Sequence, residues 1–366
     1  MLVSSRWTCF AEWWRPQGHI CAGSVRGAKP HNSAMHATIP HTSSTSPLLL
    51  PREGVARLEH WGVIEVSGAD SAGFLQGQLT NDVAHLSPTQ ARLAAFCSAK
   101  GRMQASFIAL QGTKGDILLL CSKDLLAPTL KRLSMFVMRA KAQLRDASAD
   151  YSIYGLLGAS TGMDGDHAPE PWQARVLADT RVVQLYPALG VARQMCLIPA
   201  GAPAPEGPAL SFDDWQCGEV LSGVATLTAA VVDAFVPQML NYESVGGVSF
   251  KKGCYPGQEV VARSQFRGIL KRRAYIVELQ QPVVPSPAAQ AGAALAMFAG
   301  QEVYSTQDAS QPCGVVAQAA RHATGRWVGI VSMQTSAAAD HGLCLGSAGG
   351  AALALLPLPY ALLEDI

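Results

Sequence analysis

Residues 251–259 read Lys-Lys-Gly-Cys-Tyr-Pro-Gly-Gln-Glu, a set of types in an order that points to thiol chemistry. Pro256 suits the first position of a helix, where its missing N–H is not needed. GQEVVARSQF then reads as that helix, with Cys254 just before its N-terminus. The positive end of the helix dipole and the charges of Lys251 and Lys252 would favour thiolate over thiol. A cysteine so placed, beside the flexible Gly253, is a candidate nucleophile, redox thiol, or ligand for a metal or persulfide. The ordinary alternative is a cysteine buried in a tight turn. Gln258 and Glu259 fall in the first turn, facing either the helix terminus or a bound ring, and an acid there also complements the dipole by itself.

Past the predicted helix, Arg263, Arg267, Lys271, Arg272 and Arg273 put five cations into eleven residues with no acid among them. Such a tract suits a polyanion: a folate glutamate tail, RNA phosphate or an acidic partner. A solvated basic surface explains it equally well. No aromatic RNA-binding motif accompanies it.

The elements that must hold these residues begin near residue 53. GVARLEHWGVIEVSG has strand character, and Asp70 is placed to cap a helix whose Phe74, Leu75 and Leu79 share one face. AAFCS, MQASFIALQ and DILLLC follow as an antiparallel meander, divided by Lys100-Gly101 and by Gly112 to Gly115. Asp124 opens a second predicted helix through Leu130, Leu133 and Met138, with Pro128 taken as lying in its first turn, before a strand at about 140–146. YSIYGLLGA is a strand, 161–171 a loop, and RVVQLYPALG and VARQMCLIP a strand pair. SFDDWQCGEVLSGV is a helix capped by Ser211. The order recurs about twice, which suggests two related α+β units at 51–150 and 151–270. From 271 to 366 the short strands AYIVELQ, GVVAQAA, RWVGIVSM and GAALALLPL suggest a small β-barrel.

Composition sets the limits. Of 366 residues 49% are hydrophobic and 15% charged, enough apolar material for a large core, and the net charge of +1 excludes a whole-protein electrostatic drive toward nucleic acid. Nine widely spaced cysteines, none in a CxxC or Cys/His ligand pattern, suggest a reducing compartment and no metal site. No apolar run is long enough for a membrane span. Residues 1–50 carry Trp7, Trp13, Trp14 and four histidines with Glu12 as their only acid. They read as a disordered extension with Met35 as an alternative start, the rival being a targeting peptide that would direct an otherwise cytoplasmic protein to the mitochondrial matrix.

KKGCYPGQEVVAR, preceded by FVPQMLNYESVGGVSF and followed by QFRGILKRR, resembles the signature of the YgfZ family, bacterial relatives of a mitochondrial iron–sulfur assembly factor. FLQGQLTNDV at 74–83 and AFCSAKGRMQASF at 95–107 resemble its N-terminal blocks in the same order. The resemblance spans about residues 54–335. It implies the fold of the glycine-cleavage aminomethyltransferase: α+β, two ferredoxin-like domains around a central folate channel, and a small C-terminal β-barrel. It implies tetrahydrofolate or a derivative as cofactor, iron–sulfur enzymes or assembly proteins as partners, and indirect support of tRNA-modifying iron–sulfur enzymes. By it Cys254 and Lys252 are the catalytic candidates, and Tyr255, Gln258, Glu259 and Arg263 the cofactor-binding ones. Direct RNA binding is a lesser expectation, and a membrane is not expected. Two departures weigh against a true aminomethyltransferase, the first alternative. Where that enzyme has a catalytic aspartate this chain has Gln104, Ala105 and Ser106, and its pterin-holding acid aligns with Leu221. The other alternative is a non-catalytic scaffold.

Overall fold

The computed structural model describes residues 47–162, 170–266, 270–280, 296–339 and 342–363. The expected extension up to residue 46, most of the 161–171 loop, and Arg267 lie outside the described residues.

GVARLEHWGVIEVSG, read as one strand, is two. A tight turn at Leu58–His60, closed by Trp61 N–H to Leu58 O (3.4 Å), separates β1 (Glu53–Arg57) from β2 (Trp61–Ser67). The two strands enter different sheets. β2 joins β3 (Arg92–Cys97), β4 (Met103–Gln111), β5 (Ile117–Ser122) and β6 (Gln143–Asp146) in the antiparallel order β3-β4-β5-β2-β6. Its last four positions carry the ferredoxin-like arrangement, with β3 added at the edge. β1 instead pairs with β7 (Tyr151–Gly158), Glu53 opposite Gly158. It completes the second antiparallel sheet, β1-β7-β10-β9-β8, with β10 at Val191–Pro199, β9 at Thr180–Ala188 and β8 at Ala174–Leu177. The second sheet thus borrows its edge strand from the stretch that the sequence reading gave to the first unit.

The first sheet is buried on both faces, which explains its nearly unbroken apolar strands. Along β5, Leu118 and Leu120 face the central core, while Ile117, Leu119 and Cys121 face the helices. β3 alternates likewise, with Leu93 and Ala95 toward the centre and Ala94 and Phe96 toward the helices. The helices of this unit are shorter than expected. α1 is only Ser71–Gln76, and Asp70 makes no capping bond to it; its carboxylate accepts the Lys141 N–H at 2.7 Å. Leu79 is buried beside Phe74 and Leu75 but lies past the helix. α2 (Lys123–Ser134) ends four residues before Met138, and Pro128 sits in its second turn, not its first. α3 (Phe212–Leu221) follows the sequence: Ser211 Oγ accepts the Asp214 N–H at 3.0 Å, with two acids in the first turn.

The third part is a closed six-stranded barrel. β11 (Arg272–Leu279) pairs with β14 (Trp327–Gln334), then β13 (Gly314–Arg321), β12 (Glu302–Ser305), β15 (Leu343–Leu345) and β16 (Ala351–Leu356), which returns to β11. The expected four strands are all present; β12 and β15 are too short to have shown a period of their own.

The barrel corrects the reading of the basic tract. Arg273 lies inside the protein, paired with the buried Glu243 and donating to Leu363 O at 2.6 Å. Arg272 donates to Cys313 O at 3.1 Å. Strand alternation, not local charge, decides where these side chains go. Removing one partner of a buried pair strands the other, so Arg273→Met should cost about 3–5 kcal/mol. Urea unfolding should show that loss, and Lys271→Ala, at an exposed position, should stay within about 0.5 kcal/mol of the parent.

Candidate functional site

The three sequence blocks meet in space. The N–H groups of Gly77, Gln78 and Leu79 close the carbonyls of Gly73, Phe74 and Leu75 at the end of α1, and Lys252 from the motif takes what is left: its Nζ donates to Gln76 O at 2.5 Å and to Leu79 O, in the turn after the helix, at 2.7 Å. The same ammonium lies 4.7 Å from the centre of the buried Tyr255 ring. Thr80 fastens the neighbouring turn, donating from Oγ to Gly247 O (2.7 Å) and from N–H to Ala95 O (2.9 Å). Asn81 bridges Leu93 O and Gly246 O, both at 2.7 Å. The second block closes on the motif through two glycines. Gly257 has φ +80°, and a Cβ there would stand 2.4 Å from Ser98 O and 2.6 Å from Gly101 Cα. Only a residue without a side chain permits that approach.

The start of the motif helix is therefore corrected. Pro256 and Gly257 form a turn, and α4 spans Gln258–Phe266. Cys254 lies four residues upstream of α4, with the Pro256–Gly257 turn between them, rather than just before the helix N-terminus. It is exposed, unlike the other six cysteines among the described residues, which removes the buried-turn alternative. Lys252 and Cys254 are neighbours in the loop, and Asp82, paired with His85 at 2.9 Å, acts on the same amine. Glu259 and Arg263 are exposed and paired with each other at 2.5 Å across one helical turn. Gln258 is half-buried at the start of α4.

Burial pushes the Lys252 ammonium down to about 8, against the opposing influence of Asp82 and Cys254. A neutral amine has two N–H donors and one lone pair. Both donors are used by Gln76 O and Leu79 O, so deprotonation leaves Lys252 with its backbone bonds intact and a base in the same loop as Cys254.

None of Lys252, Cys254, Tyr255, Gln258, Glu259 and Arg263 lines the central cavity. That cavity, about 40 Å³, lies among Trp61, Trp172, Tyr186, Tyr242, Arg193 and Glu219. Glu219, two residues before Leu221 on α3, is a buried carboxylate that the sequence reading did not single out. Trp61 and Trp215 donate their indole N–H to its Oε1 at 3.1 and 3.0 Å, and His60 Nε2 lies 3.3 Å away. Burial alone would raise this carboxyl, but the His60 hydrogen bond, the charges of His60 and Arg193, and Trp61 hold it below the usual value. Arg193, 3% exposed, stacks 4.5 Å over Trp215. Desolvation lowers its guanidinium to about 10, and its Nε has no protein partner. At β4, where a catalytic acid was not found, Gln104 meets the carboxylate of Asp233 at 3.4 Å, supplied by a distant segment in a left-handed turn. The signal that would have found Glu219 is its place on the core face of α3 beside an expected cavity.

The folate implied by the family resemblance can be tested against this cavity. The chemistry fits: Arg193, whose buried Nε has no protein partner, lines the cavity together with Trp61, Trp172 and Tyr186, which suits a flat ring carrying acceptors. The volume holds water-sized guests, so the walls must part before such a ring enters. Among the described residues no cluster of three or more His, Cys, Asp or Glu is placed to hold a metal, and no helix is long and apolar enough to cross a membrane.

Comparison with known proteins agrees with the fold and the blocks. The tRNA-modifying protein YgfZ of Vibrio atlanticus is 32% identical over 243 residues, 65% of this chain and 72% of that protein. The tRNA-modifying protein YgfZ of Serratia proteamaculans is 29% identical over 339 residues, 89% of this chain and 96% of that one. Among solved structures, aminomethyltransferase T of the glycine cleavage system from Bartonella henselae superposes with a TM-score of 0.56 at 14% identity, covering 86% of this chain and 87% of that one. That likeness speaks for the fold alone. No family model matches the chain.

Lys252 supplies the test of this geometry. In lysine-labelled protein followed by NMR, its side chain should titrate near pH 8, well below the roughly 10.4 of exposed lysines. Because the unfolded amine holds its proton more tightly, burial costs stability below pH 8, and the cost fades as pH rises toward about 10.4. A midpoint at the ordinary value would mean the amine is solvated and not held by the two carbonyls.

Proposed function

Since the chain belongs to the YgfZ family, we propose that it is a cytoplasmic folate-binding accessory protein for iron–sulfur cluster assembly or repair, with Cys254 as its functional thiol. Through those clusters it would support the iron–sulfur enzymes that modify tRNA, the process for which its relatives are named. The observation that carries this reading is the convergence of three separate blocks on the loop that presents one exposed cysteine. Lys252 anchors the loop and offers a base; Tyr255 packs beneath it; Gly257 and Gly101 bring the second block into backbone contact. A structural thiol would need none of this and would be buried, as the other described cysteines are.

The cavity is the candidate folate site. A reduced folate bound there would supply one-carbon or reducing capacity. Arg193 would donate to its acceptors, Trp61, Trp172 and Tyr186 would flank the ring, and Glu219, saturated by two indoles and an imidazole, would hold the walls in place. Gln258, Glu259 and Arg263 lie on the motif surface instead, where they suit a partner or the tail of the ligand, and the buried Tyr255 supports the loop from below. The aminomethyltransferase alternative still lacks an acid on β4 itself, and the Asp233 carboxylate is engaged by Gln104.

Two measurements separate the parts. In a strain lacking the gene, wild type should restore the activity of a cluster-dependent enzyme under oxidative stress, and Cys254→Ala should not; equal rescue would sink the thiol reading and leave a scaffold. Titration with tetrahydrofolate should quench tryptophan fluorescence saturably. Arg193→Leu should weaken that binding about tenfold, the worth of one charged hydrogen bond, and Cys254→Ala should leave it unchanged. Quenching of equal affinity in Arg193→Leu would place the ligand elsewhere.

A further inference from the structure

After α2 the chain presents an apolar tip to solvent. Met135, Phe136 and Met138 are 62%, 42% and 88% exposed. Met138 has φ 42°, a left-handed conformation that glycine adopts freely and a methionine does not. Nothing inside the fold is gained by a side chain at this position. The tip is nevertheless fixed. Phe136 N–H donates to Leu133 O (2.9 Å), Val137 N–H to Ser134 O (3.3 Å) and Ala140 N–H to Val137 O (2.8 Å). The Phe136 ring also rests edge-on against Phe96, 6.4 Å between centres.

Cations surround it. Lys131, Arg132, Arg139 and Lys141 are exposed, and among the described residues none of the four forms a salt bridge. No acid occurs between Leu125 and Arg145. The carboxylate that reaches the segment, Asp70, binds the backbone N–H of Lys141.

We propose that this tip is a docking surface for a protein partner with an acidic face, into which the Met138 side chain inserts. Uncompensated cations steer an anionic partner. Methionine and arginine are enriched at the buried centres of protein interfaces, and a thioether adapts to an irregular pocket. A tip already held by its own backbone bonds loses little freedom on binding. RNA suits it less, because one half-exposed ring offers little stacking and two thioethers have nothing to contact along a phosphate chain. A lipid surface suits it less too, since its one aromatic ring, Phe136, is held against Phe96 and the tip carries no tryptophan or leucine to seat in the headgroup region. The inference concerns recognition and stands independently of the chemistry assigned to Cys254.

The test uses the full chain and an acidic amphipathic peptide with Glu and Leu at helical spacing, followed by fluorescence anisotropy. The same peptide with Leu replaced by Ser, a single-stranded RNA of equal charge, and phosphatidylglycerol vesicles serve as competitors of known chemistry. Expected is binding of the Leu peptide that weakens with salt and falls about tenfold with Met138→Gly, as for the loss of a central contact. That variant should melt at or above the parent temperature, because it relieves the left-handed strain. The paired variant Lys131→Glu, Arg132→Glu should weaken binding similarly. No binding of the Leu peptide, equal binding by Met138→Gly, equal binding of the Ser peptide, or tighter binding of RNA or vesicles at the same residues would each overturn the proposal.

Discussion

The last carbonyl of α1, Gln76 O, and that of Leu79 in the turn after it are held by the ammonium of Lys252, from a part of the chain far away in sequence. The arrangement at the motif follows from this contact. It fixes where the loop begins, and the buried Tyr255 ring beneath the amine fixes which way the loop turns. The left-handed Gly257 then lays the following turn against the β3–β4 hairpin at Gly101. Cys254 is left as the side chain between these anchors that nothing covers. The loop is held at both ends, so its thiol is presented at a defined place on the surface.

The same loop network reaches toward the centre of the molecule. Gly247, whose carbonyl Thr80 binds, packs against Tyr242 and Leu93, both of which line the cavity. A ligand that parts the cavity walls would therefore push on residues one step removed from the anchors of Lys252. The buried Glu219 and Arg193 resist such movement, because each depends on its neighbours for the solvation it has lost.

Much of this was legible in the sequence where local signals were strong. Ser211 followed by two aspartates announced α3, and the apolar runs of β3, β4 and β5, divided by Lys100-Gly101 and by Gly112 to Gly115, announced the antiparallel meander. The Lys251–Arg263 stretch marked the site. Other features depended on tertiary context. Pro256 looked like a helix start, but the turn is set by Gly257 meeting Gly101, a partner more than a hundred positions away in the chain. Arg272 and Arg273 looked like part of a surface patch because charge was read along the chain, whereas strand alternation carries Arg273 to Glu243. Glu219 was invisible because the acid was sought at Leu221, two residues further along α3 and on nearly the opposite side of the helix, and only the packed structure shows which side meets the cavity. β1 could not be assigned, since nothing in Glu53–Arg57 says which of two sheets it joins.

That last strand has a consequence for the life of the chain. During synthesis Glu53–Arg57 emerges early, yet its partner Tyr151–Gly158 follows only after the whole first sheet has been made. An unpaired strand edge must wait through that interval, a state open to wrong pairings. Closing so long a loop is slow compared with forming a hairpin. The first sheet can assemble as soon as it leaves the ribosome, but the second cannot finish until Glu53–Arg57, made before it, pairs with the later Tyr151–Gly158. Cutting the protein between its two α+β units would leave one half without an edge strand and the other with a strand that has nowhere to go.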